Sequence, residues 1–561
     1  MHSSPSPQNR SPYNWKIPVA LLFSAAFALP LALGVWYRAD PLTIANESLA
    51  YRFLFSERLL NGEGSSVWVL AGFLTTAIQT SLLKLINMFS GLPLGDLKDR
   101  THWFSLLFTG GVVAAGIAVF LAASFQRSLR LVDLILLGII GLGPLYLTRT
   151  IGFYYYSLPD YYHLNVLLAL VAVWLFQLAW HDRGTTTVDT HLPLKIFLAG
   201  LFTGFVCANK VTMAIIAVPL LIALLIRDNQ KPVRVLCDAL LAFAAAILGF
   251  LFVIWWFYLF KSSAVRGMFA AWIATIRNPG GESSFWSSDF RNYLTSYSYG
   301  YVIAFYLISL AAAGFIAIRS PRRSYLTFAL LGALLLGGVA WTYFVIKRPA
   351  GTTFFEGAVA LLGLSCIALT IVSRLRLGGL LIWILTIAWT CYATGTFQLR
   401  SSVATLVASR PWADDMWRMH SELLQFSKGH EIIVIHPNNS YGYGGVEEFL
   451  LKGTADVPTW YFFSGHGQPI LARYAPGMSF RHEYGGPAPN SFYPENAVVF
   501  WVDRPEFPAL IERYSLLKTA YLRPDVIHKD WTMTIQGGSA VIKAHAILLP
   551  PPAAAPGGMR H

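Results

Sequence analysis

Long apolar runs recur along residues 17–397 and are separated by shorter polar connections. We predict about eleven membrane-spanning helices, because one span needs roughly 20 apolar residues. The stretch 195–227 is divided around "ANKVT", since one continuous helix would place the charge of Lys210 near mid-membrane. The predicted spans are 17–36, 103–124, 131–148, 162–180, 195–208, 211–227, 235–260, 299–318, 325–346, 353–373 and 379–397.

Every second connection is short and basic, as expected for loops retained in the cytoplasm. This pattern makes 1–15 a cytoplasmic tail and 16–397 one transmembrane domain, with 37–102 and 261–298 as extracytoplasmic loops. The chain after 397 falls on the same outer side. Merging the two helices of 195–227 would reverse the orientation of everything that follows. The basic connections are 125–130, 181–194, 228–234, 319–324 and 373–379.

The composition is that of a membrane protein. Hydrophobic residues make up 55% of the chain and charged residues 13%, whereas a soluble domain carries about a quarter charged residues. The net charge of +13 is carried mostly by the connections between spans, so we do not expect a nucleic-acid partner.

The 4 cysteines lie in or beside apolar runs, which leaves no disulfide framework and no CxxC metal site. No small-residue cleavage signal follows the first run, so we expect an uncleaved span.

Two segments outside the predicted spans have a regular pattern. "VWVLAGFLTTAIQTSLLKLINMF" is amphipathic and predicts a helix that lies along the membrane surface. Residues 398–548 predict an extracytoplasmic α/β domain, with strands at "EIIVI" (431–435) and "AVVFWV" (497–502). The loop 261–298 is either a mobile lid or packs on the membrane surface, and 549–561 predict a disordered tail.

Acidic residues occur where the chain leaves the first predicted span and where it enters the fourth. "NESLAY" places Glu47 and Tyr51 four residues apart, on one face of a helix, and Asp40 lies upstream. Asp160 follows a tyrosine-rich run in "YYYSLPDYYHLN". The tyrosines also suit an interfacial aromatic belt, but a carboxylate at this position suits a general base.

Basic residues suited to phosphate lie on the same predicted side. Lys210 lies between two apolar half-spans, where an ammonium either binds an anionic headgroup or snorkels to the interface. Lys347 and Arg348 precede the tenth predicted span; they suit phosphate or anchor the helix end. Acids and cations together at one membrane surface suggest transfer of a group from a lipid phosphate.

These motifs resemble those of the GT-C glycosyltransferases that use polyprenyl-phosphate sugars, such as protein O-mannosyltransferases and the lipid A aminoarabinose transferase. The family's DExxY motif is matched by "ESLAY", in which Glu47 stands for the Asp and Ser48 for the Glu. "LPDYYHLN" matches the family's acid before the fourth span, and "GLFTGFVCANKVTMAIIAVPLL" matches its G…TK…LLLLP run. Arg348 matches a late basic residue. The resemblance covers roughly residues 15–400.

The resemblance implies an inverting transfer of a sugar from a polyprenyl-phosphate donor to a hydroxyl of a glycan, lipid or protein acceptor. The implied base is Glu47, with Asp40 in reserve, while Asp160 positions the acceptor or shares that role. No cofactor is firmly implied. A divalent metal (Mg²⁺ or Mn²⁺) stays open, although the loss of one acid at Ser48 disfavours it.

The resemblance also implies the binding residues. The implied ligands of the donor phosphate are Lys210, Arg348 and Lys347. The implied substrate-positioning residues are Tyr51, Tyr161 and His163. We expect these residues to face the periplasm from a bacterial inner membrane, surrounded by membrane lipid.

Three other interpretations stay open. The first is a secondary transporter or flippase of a lipid-linked or anionic substrate, although we find no internal repeat of the transporter kind. The second is an O-antigen polymerase or ligase, which usually carries its large loop between late spans. The third is a catalytically inactive GT-C relative, which the serine at position 48 allows.

Overall fold

The protein contains a helical bundle and a separate β-sheet. The computed structural model describes residues 15–36, 60, 72–89, 97–146, 161–181, 192–210, 213–225, 232–262, 265–266, 300–319, 332, 335–338, 351–373, 414–415, 418–419, 421–430, 432–436, 459–463, 480–482, 497–503, 509–513, 518–519, 521–535 and 540–549. Most of the predicted span 325–346 and all of 379–397 therefore lie outside the described residues, as do residues 267–298 of the predicted loop and residues 550–561 of the predicted tail.

The described helices coincide with most of the predicted spans. Five of them contain a segment long and apolar enough to cross a membrane: Lys16–Leu33, Trp103–Phe125, Tyr162–His181, Leu192–Asn209 and Pro232–Phe257. The chain is therefore a helical membrane protein. The helices are α1 (Lys16–Trp36), α2 (Phe73–Phe89), α3 (Leu97–Phe125), α4 (Leu131–Tyr146), α5 (Tyr161–His181), α6 (Leu192–Asn209), α7 (Ala214–Leu225), α8 (Pro232–Phe257), α9 (Gly300–Arg319) and α10 (Gly351–Ser373).

Several helix ends meet at one end of the bundle, which we call the Asp133 end. The Lys16 ammonium, at the start of α1, donates to the carbonyl oxygen of Leu129 just beyond α3, at 3.2 Å. His181, the last residue of α5, lies 3.0 Å from the carboxylate of Asp133 in the first turn of α4. Gln177 donates to the hydroxyl of Thr370 near the end of α10, at 3.4 Å. The starts of α1 and α4 and the ends of α3, α5 and α10 therefore lie together.

The opposite end of the bundle, which we call the Asn209 end, follows from these contacts. Helix α5 has 21 residues, so its two ends are separated by roughly 30 Å at 1.5 Å per residue. Helices α1 and α10 have 21 and 23 residues. The end of α1, the start of α5 and the start of α10 therefore all lie at the Asn209 end.

Helices α6 and α8 pack closely and run in the same direction. Gly200 and Gly204 of α6 face the backbone around Ala242 and Phe250 of α8, and the ring of Phe205 contacts Phe252. Small residues spaced four apart allow such backbone approach between membrane helices. Because α6 and α8 are parallel, the chain between them must return, and α7 provides that return. The predicted break near "ANKVT" is thus present: α6 ends at Asn209 and α7 begins at Ala214.

Helix α2 crosses the end of α8 instead of running beside it. The ring of Phe73 contacts Phe257, with 5.1 Å between centroids, and the indole of Trp256 donates to Ser81 at 2.9 Å. Phe73 and Ser81 are about 12 Å apart along the axis of α2, yet both contact the last two residues of α8. The predicted amphipathic helix is thus present as α2, and its position along the membrane surface stays a prediction.

The C-terminal region contains a six-stranded mixed sheet with the order β3-β2-β1-β4-β6-β5. Strands β3, β2, β1 and β4 are parallel, while β6 pairs antiparallel with β4 and β5. Helical residues 421–427 precede β1, as expected for an α/β arrangement. The two predicted strands correspond to β1 and β4. The strands are β1 (Ile432–His436), β2 (Thr459–Phe463), β3 (Phe480–His482), β4 (Val498–Asp503), β5 (Ile527–Ile535) and β6 (Ala540–Leu548).

Candidate functional site

A buried polar network joins three helices at the Asn209 end. The Asn209 carboxamide oxygen accepts hydrogen bonds from the backbone N–H of Thr75, at 3.0 Å, and from the Thr75 hydroxyl, at 2.8 Å. The Asn209 side-chain nitrogen donates to the carboxamide oxygen of Asn165, at 2.7 Å. The Asn209 carbonyl oxygen accepts from the N–H of Gly72, at 2.6 Å. One asparagine thus fixes the end of α6 against the beginnings of α2 and α5.

Each residue of this network is fully removed from solvent. Asn209 and Thr75 are 0% exposed and Asn165 is 1% exposed. Buried polar groups of this kind must be hydrogen-bonded, because each unpaired group costs about 1–3 kcal/mol. The network therefore constrains how the three helices meet.

Lys210 lies at the turn that follows the network. Its N–H donates to the carbonyl oxygen of Val206, and its own carbonyl oxygen accepts from the N–H of Met213, both at 2.9 Å. Its side chain is partly exposed. The sequence predicted a lysine between two half-spans, and the structure places Lys210 at that position, immediately after α6.

The helix ends that lead to the predicted site residues lie at this same end of the bundle. The end of α1 leads to Asp40, Glu47 and Tyr51, and the start of α5 follows Asp160. The start of α10 follows Lys347 and Arg348. These six residues themselves lie outside the described residues, so their roles stay predictions.

Tyr161 and His163 lie on the first turn of α5. His163 is 2% exposed, so its ring lies inside the bundle instead of on the surface. Tyr161 is the first residue of the helix. They precede Asn165 of the network by four and two residues on the same helix.

The sequence reasoning missed Asn165, Asn209 and Thr75. Their signal was present: Asn209 directly precedes Lys210 in "ANKVT", and Asn165 interrupts the apolar run after "YYH". A polar residue inside a predicted span is costly and therefore usually paired or functional.

The described residues contain no group of three or more His, Cys, Asp or Glu side chains arranged to hold a metal ion. The predicted acids Asp40, Glu47 and Asp160 are not among the residues covered by this finding. Whether the site takes a divalent metal therefore stays open.

A second buried polar contact lies at the Asp133 end, away from the candidate site. The Asp133 carboxylate is 0% exposed and accepts from the backbone N–H of Arg130 at 2.8 Å, besides its 3.0 Å contact with His181. Since Asp133 caps the start of α4 and contacts the end of α5, we assign it a structural role.

The sheet contains a third polar cluster, centred on His545 of β6. Its Nδ1 lies 2.6 Å from the carboxylate of Asp530 on β5, and its Nε2 lies 3.4 Å from that of Asp503 on β4. The ring stacks on Trp501, with 5.2 Å between centroids. Burial acts to lower the pKa of His545, but hydrogen bonds and charge interactions with the two carboxylates outweigh it, so that this pKa is raised above its ordinary value.

Comparisons with known proteins give distant structural likeness. No protein-family model matches the chain, and no curated protein matches it. The fold is similar to the archaeal oligosaccharyltransferase AglB from Archaeoglobus fulgidus, solved in complex with an inhibitory peptide and a dolichol-phosphate. The identity is 12% and the TM-score 0.48, over 78% of this chain and 63% of the length of that protein. This likeness is too distant to assign an activity.

Proposed function

We propose that the protein is a membrane glycosyltransferase that moves a sugar from a polyprenyl-phosphate-linked donor to an acceptor hydroxyl. The observation that carries this proposal is the Asn209 end of the bundle. There, Lys210 follows Asn209, which bonds to the starts of α2 and α5. The end of α1, which leads to Asp40 and Glu47, and the start of α10, which follows Lys347 and Arg348, lie at the same end. The proposal thus assigns the acids and the phosphate-binding cations to one surface of the membrane.

The reaction proposed at this site is an inverting displacement. A carboxylate, Glu47 or Asp40, accepts the proton of the acceptor hydroxyl. The acceptor oxygen forms a bond to the anomeric carbon as the bond between that carbon and the phosphate oxygen breaks. The electron pair of the broken bond leaves with polyprenyl phosphate. Asp160 positions the acceptor or shares the role of base.

Cations stabilise the departing phosphate in this mechanism. The donor phosphate is a diester with one negative charge and leaves as a monoester with two, because the oxygen that held the sugar keeps the electron pair of the broken bond. A positioned ammonium or guanidinium lowers the free energy of that state. Lys210 supplies the ammonium from the turn after α6, and Arg348, with Lys347, supplies charge from the segment before α10. We place this site on the periplasmic side of a bacterial inner membrane, because the basic connections lie on the other side.

Sugar transfer from defined donors tests the proposal. Purified protein in proteoliposomes is given radiolabelled polyprenyl-phosphate sugars, and label released from the lipid is measured. We expect Lys210→Ala, Asp160→Asn and Glu47→Gln each to lower turnover at least tenfold, with the protein still folded. Lys195→Ala is the matched control, because Lys195 lies at the opposite end of the same helix.

The outcomes separate the proposal from the other interpretations. Equal turnover in the wild type and all three variants would contradict the assigned roles. If the wild type releases no sugar but moves the intact lipid across the bilayer, the protein is a flippase. If it does neither with any donor, the inactive-relative interpretation is favoured.

A further inference from the structure

The hydrogen-bond directions in the Asn209 network are fixed by chemistry. The N–H of Thr75 can only donate, so the atom of Asn209 that it contacts must be the carboxamide oxygen. The other side-chain atom of Asn209 is therefore the NH₂ group, which can only donate. Its partner on Asn165 must then be the oxygen, at 2.7 Å.

This assignment leaves the NH₂ group of Asn165 without a partner. Asn165 is 1% exposed, and within the part of the chain that the structure describes its Nδ2 makes no hydrogen bond. Rotating the carboxamide would satisfy Nδ2 no better, because it would place two NH₂ groups against each other. A buried, unpaired amide costs about 1–3 kcal/mol unless another molecule supplies an acceptor.

The second buried polar group of this kind is a hydroxyl on the adjoining helix α2. Thr76 follows Thr75 on α2 and is 0% exposed, and its hydroxyl makes no hydrogen bond within the described residues. The next threonine of the helix differs, because the Thr80 hydroxyl donates to the carbonyl oxygen of Thr76 at 2.8 Å. Two neutral groups, one amide and one hydroxyl, thus offer hydrogen bonds close to where α2, α5 and α6 meet.

The chemistry of these groups suits a neutral, hydroxyl-bearing ligand. Neither group carries the positive charge that would offset burial of a phosphate, and the Thr76 hydroxyl can donate and accept, as a sugar hydroxyl does. Lys210 is the residue after Asn209 and is the proposed phosphate ligand. In a sugar phosphate the ring hydroxyls lie a few bonds from the phosphate, so a neutral subsite beside a cation matches the order of groups in such a donor.

We propose that Asn165 Nδ2 and Thr76 Oγ1 form the subsite for the sugar hydroxyls of the donor. This inference rests on the proposed function. A site that pairs buried polar groups with a ligand hydroxyl rejects ligands that lack it, because the groups are then left unpaired. The subsite therefore distinguishes the sugar-carrying lipid from the bare polyprenyl phosphate.

Binding of two lipids to the full-length protein in nanodiscs tests the inference. One lipid is polyprenyl phosphate, and the other is the same lipid carrying glucose, galactose, mannose or arabinose. Thr76→Val removes a hydroxyl that makes no hydrogen bond within the described part of the chain, so the variant is expected to fold as the wild type does. Thr76→Ser is the matched control, because it keeps the hydroxyl.

We expect the wild type to bind one sugar-carrying lipid more tightly than the bare phosphate. Thr76→Val should reduce that preference by roughly tenfold, the equivalent of one lost hydrogen bond, and Thr76→Ser should retain it. Neither change should alter the affinity for the bare lipid. Thr80→Val should leave the preference unchanged. Lys210→Ala should lower the affinity for both lipids by the same factor.

Three results would overturn the inference. If the sugar adds nothing to wild-type affinity, no sugar subsite exists, although the phosphate site survives. If the preference is present but unchanged in Thr76→Val, these groups hold only a structural water. If neither lipid binds the wild type, the proposed function fails, and the subsite fails with it.

Discussion

The side-chain nitrogen of Asn209 donates a 2.7 Å hydrogen bond to the side-chain oxygen of Asn165, on a helix 44 residues earlier in the chain. The same carboxamide accepts two hydrogen bonds from Thr75. The position of Lys210, immediately after Asn209, is therefore set by contacts with α2 and α5. The account of the candidate site depends on this junction.

Asn209→Leu should destabilise the protein strongly. The change leaves both donors of Thr75 and the oxygen of Asn165 unpaired in the interior, at about 1–3 kcal/mol for each group. Thermal unfolding in detergent should show the loss. Thr75→Val is the matched change, since it removes one hydroxyl bond and should cost only about 1 kcal/mol. Equal melting temperatures for Asn209→Leu and Thr75→Val would show that the network does not stabilise the junction of the three helices.

Close packing of α6 on α8 should depend on Gly204. A Cβ atom added there would lie 2.7 Å from the backbone nitrogen of Phe250, so Gly204→Ala must push the helices apart and move the end of α6. We expect a loss of about 1–3 kcal/mol, as for other overpacked interiors. Gly110→Ala is the control, because nothing lies within 4 Å of the added methyl group. Equal melting temperatures for the two variants would contradict this packing.

Asp133→Ala should be among the most damaging changes in the bundle. It removes the partner of His181 and the acceptor for the N–H of Arg130 from a site that is 0% exposed. Each buried polar group left unpaired costs about 1–3 kcal/mol. The exposed pair Arg418–Asp415 provides the control: Asp415→Ala should cost less than about 1 kcal/mol. A small effect at both aspartates would show that the buried contact contributes little.

The sheet should lose stability as the pH rises. The folded-state pKa of His545 is raised by Asp503 and Asp530. Its contribution is thus fully present below the ordinary histidine value of about 6.5 and is lost as the pH passes the folded-state pKa. Two other side chains, Trp501 and Tyr521, contact the ring of His545. Lys543 lies opposite Asp503 in the register of β4 and β6.

Hydrogen exchange of peptides from β5 and β6, corrected for the intrinsic rate at each pH, measures this dependence in the full chain. Protection should fall above the ordinary histidine pKa in the wild type. It should be lower and independent of pH in His545→Gln. His528→Gln, which changes an exposed histidine on the neighbouring strand, should behave as the wild type. A wild-type profile without pH dependence would contradict the role of His545.

The sequence predicted the helical class and the break before α7 because both follow from local patterns. The cost of burying Lys210 in one long span was enough to divide 195–227 into two helices. The amphipathic pattern likewise predicted α2. Such features depend on residues within one or two helical turns of each other.

The Asn209 network was not predictable in this way. Its bonds join residues 44 and 134 positions apart, and they depend on how far each helix is rotated toward its neighbours. Single polar residues within apolar runs signal that a partner exists but do not identify it. The same limit applied to the sheet, where the sequence located β1 and β4 but not the order of the six strands.

The most direct test of the account is to locate bound polyprenyl phosphate on the helical bundle. A polyprenyl phosphate with a photoreactive group next to the phosphate is bound to the protein in nanodiscs, irradiated, and mapped by peptide mass spectrometry. The account predicts labelling at the Asn209 end, in peptides from the start of α5 and the turn at Lys210. Labelling should be lost in Lys210→Ala and retained in Lys195→Ala. Labelling confined to the Asp133 end, or unchanged in Lys210→Ala, would contradict it.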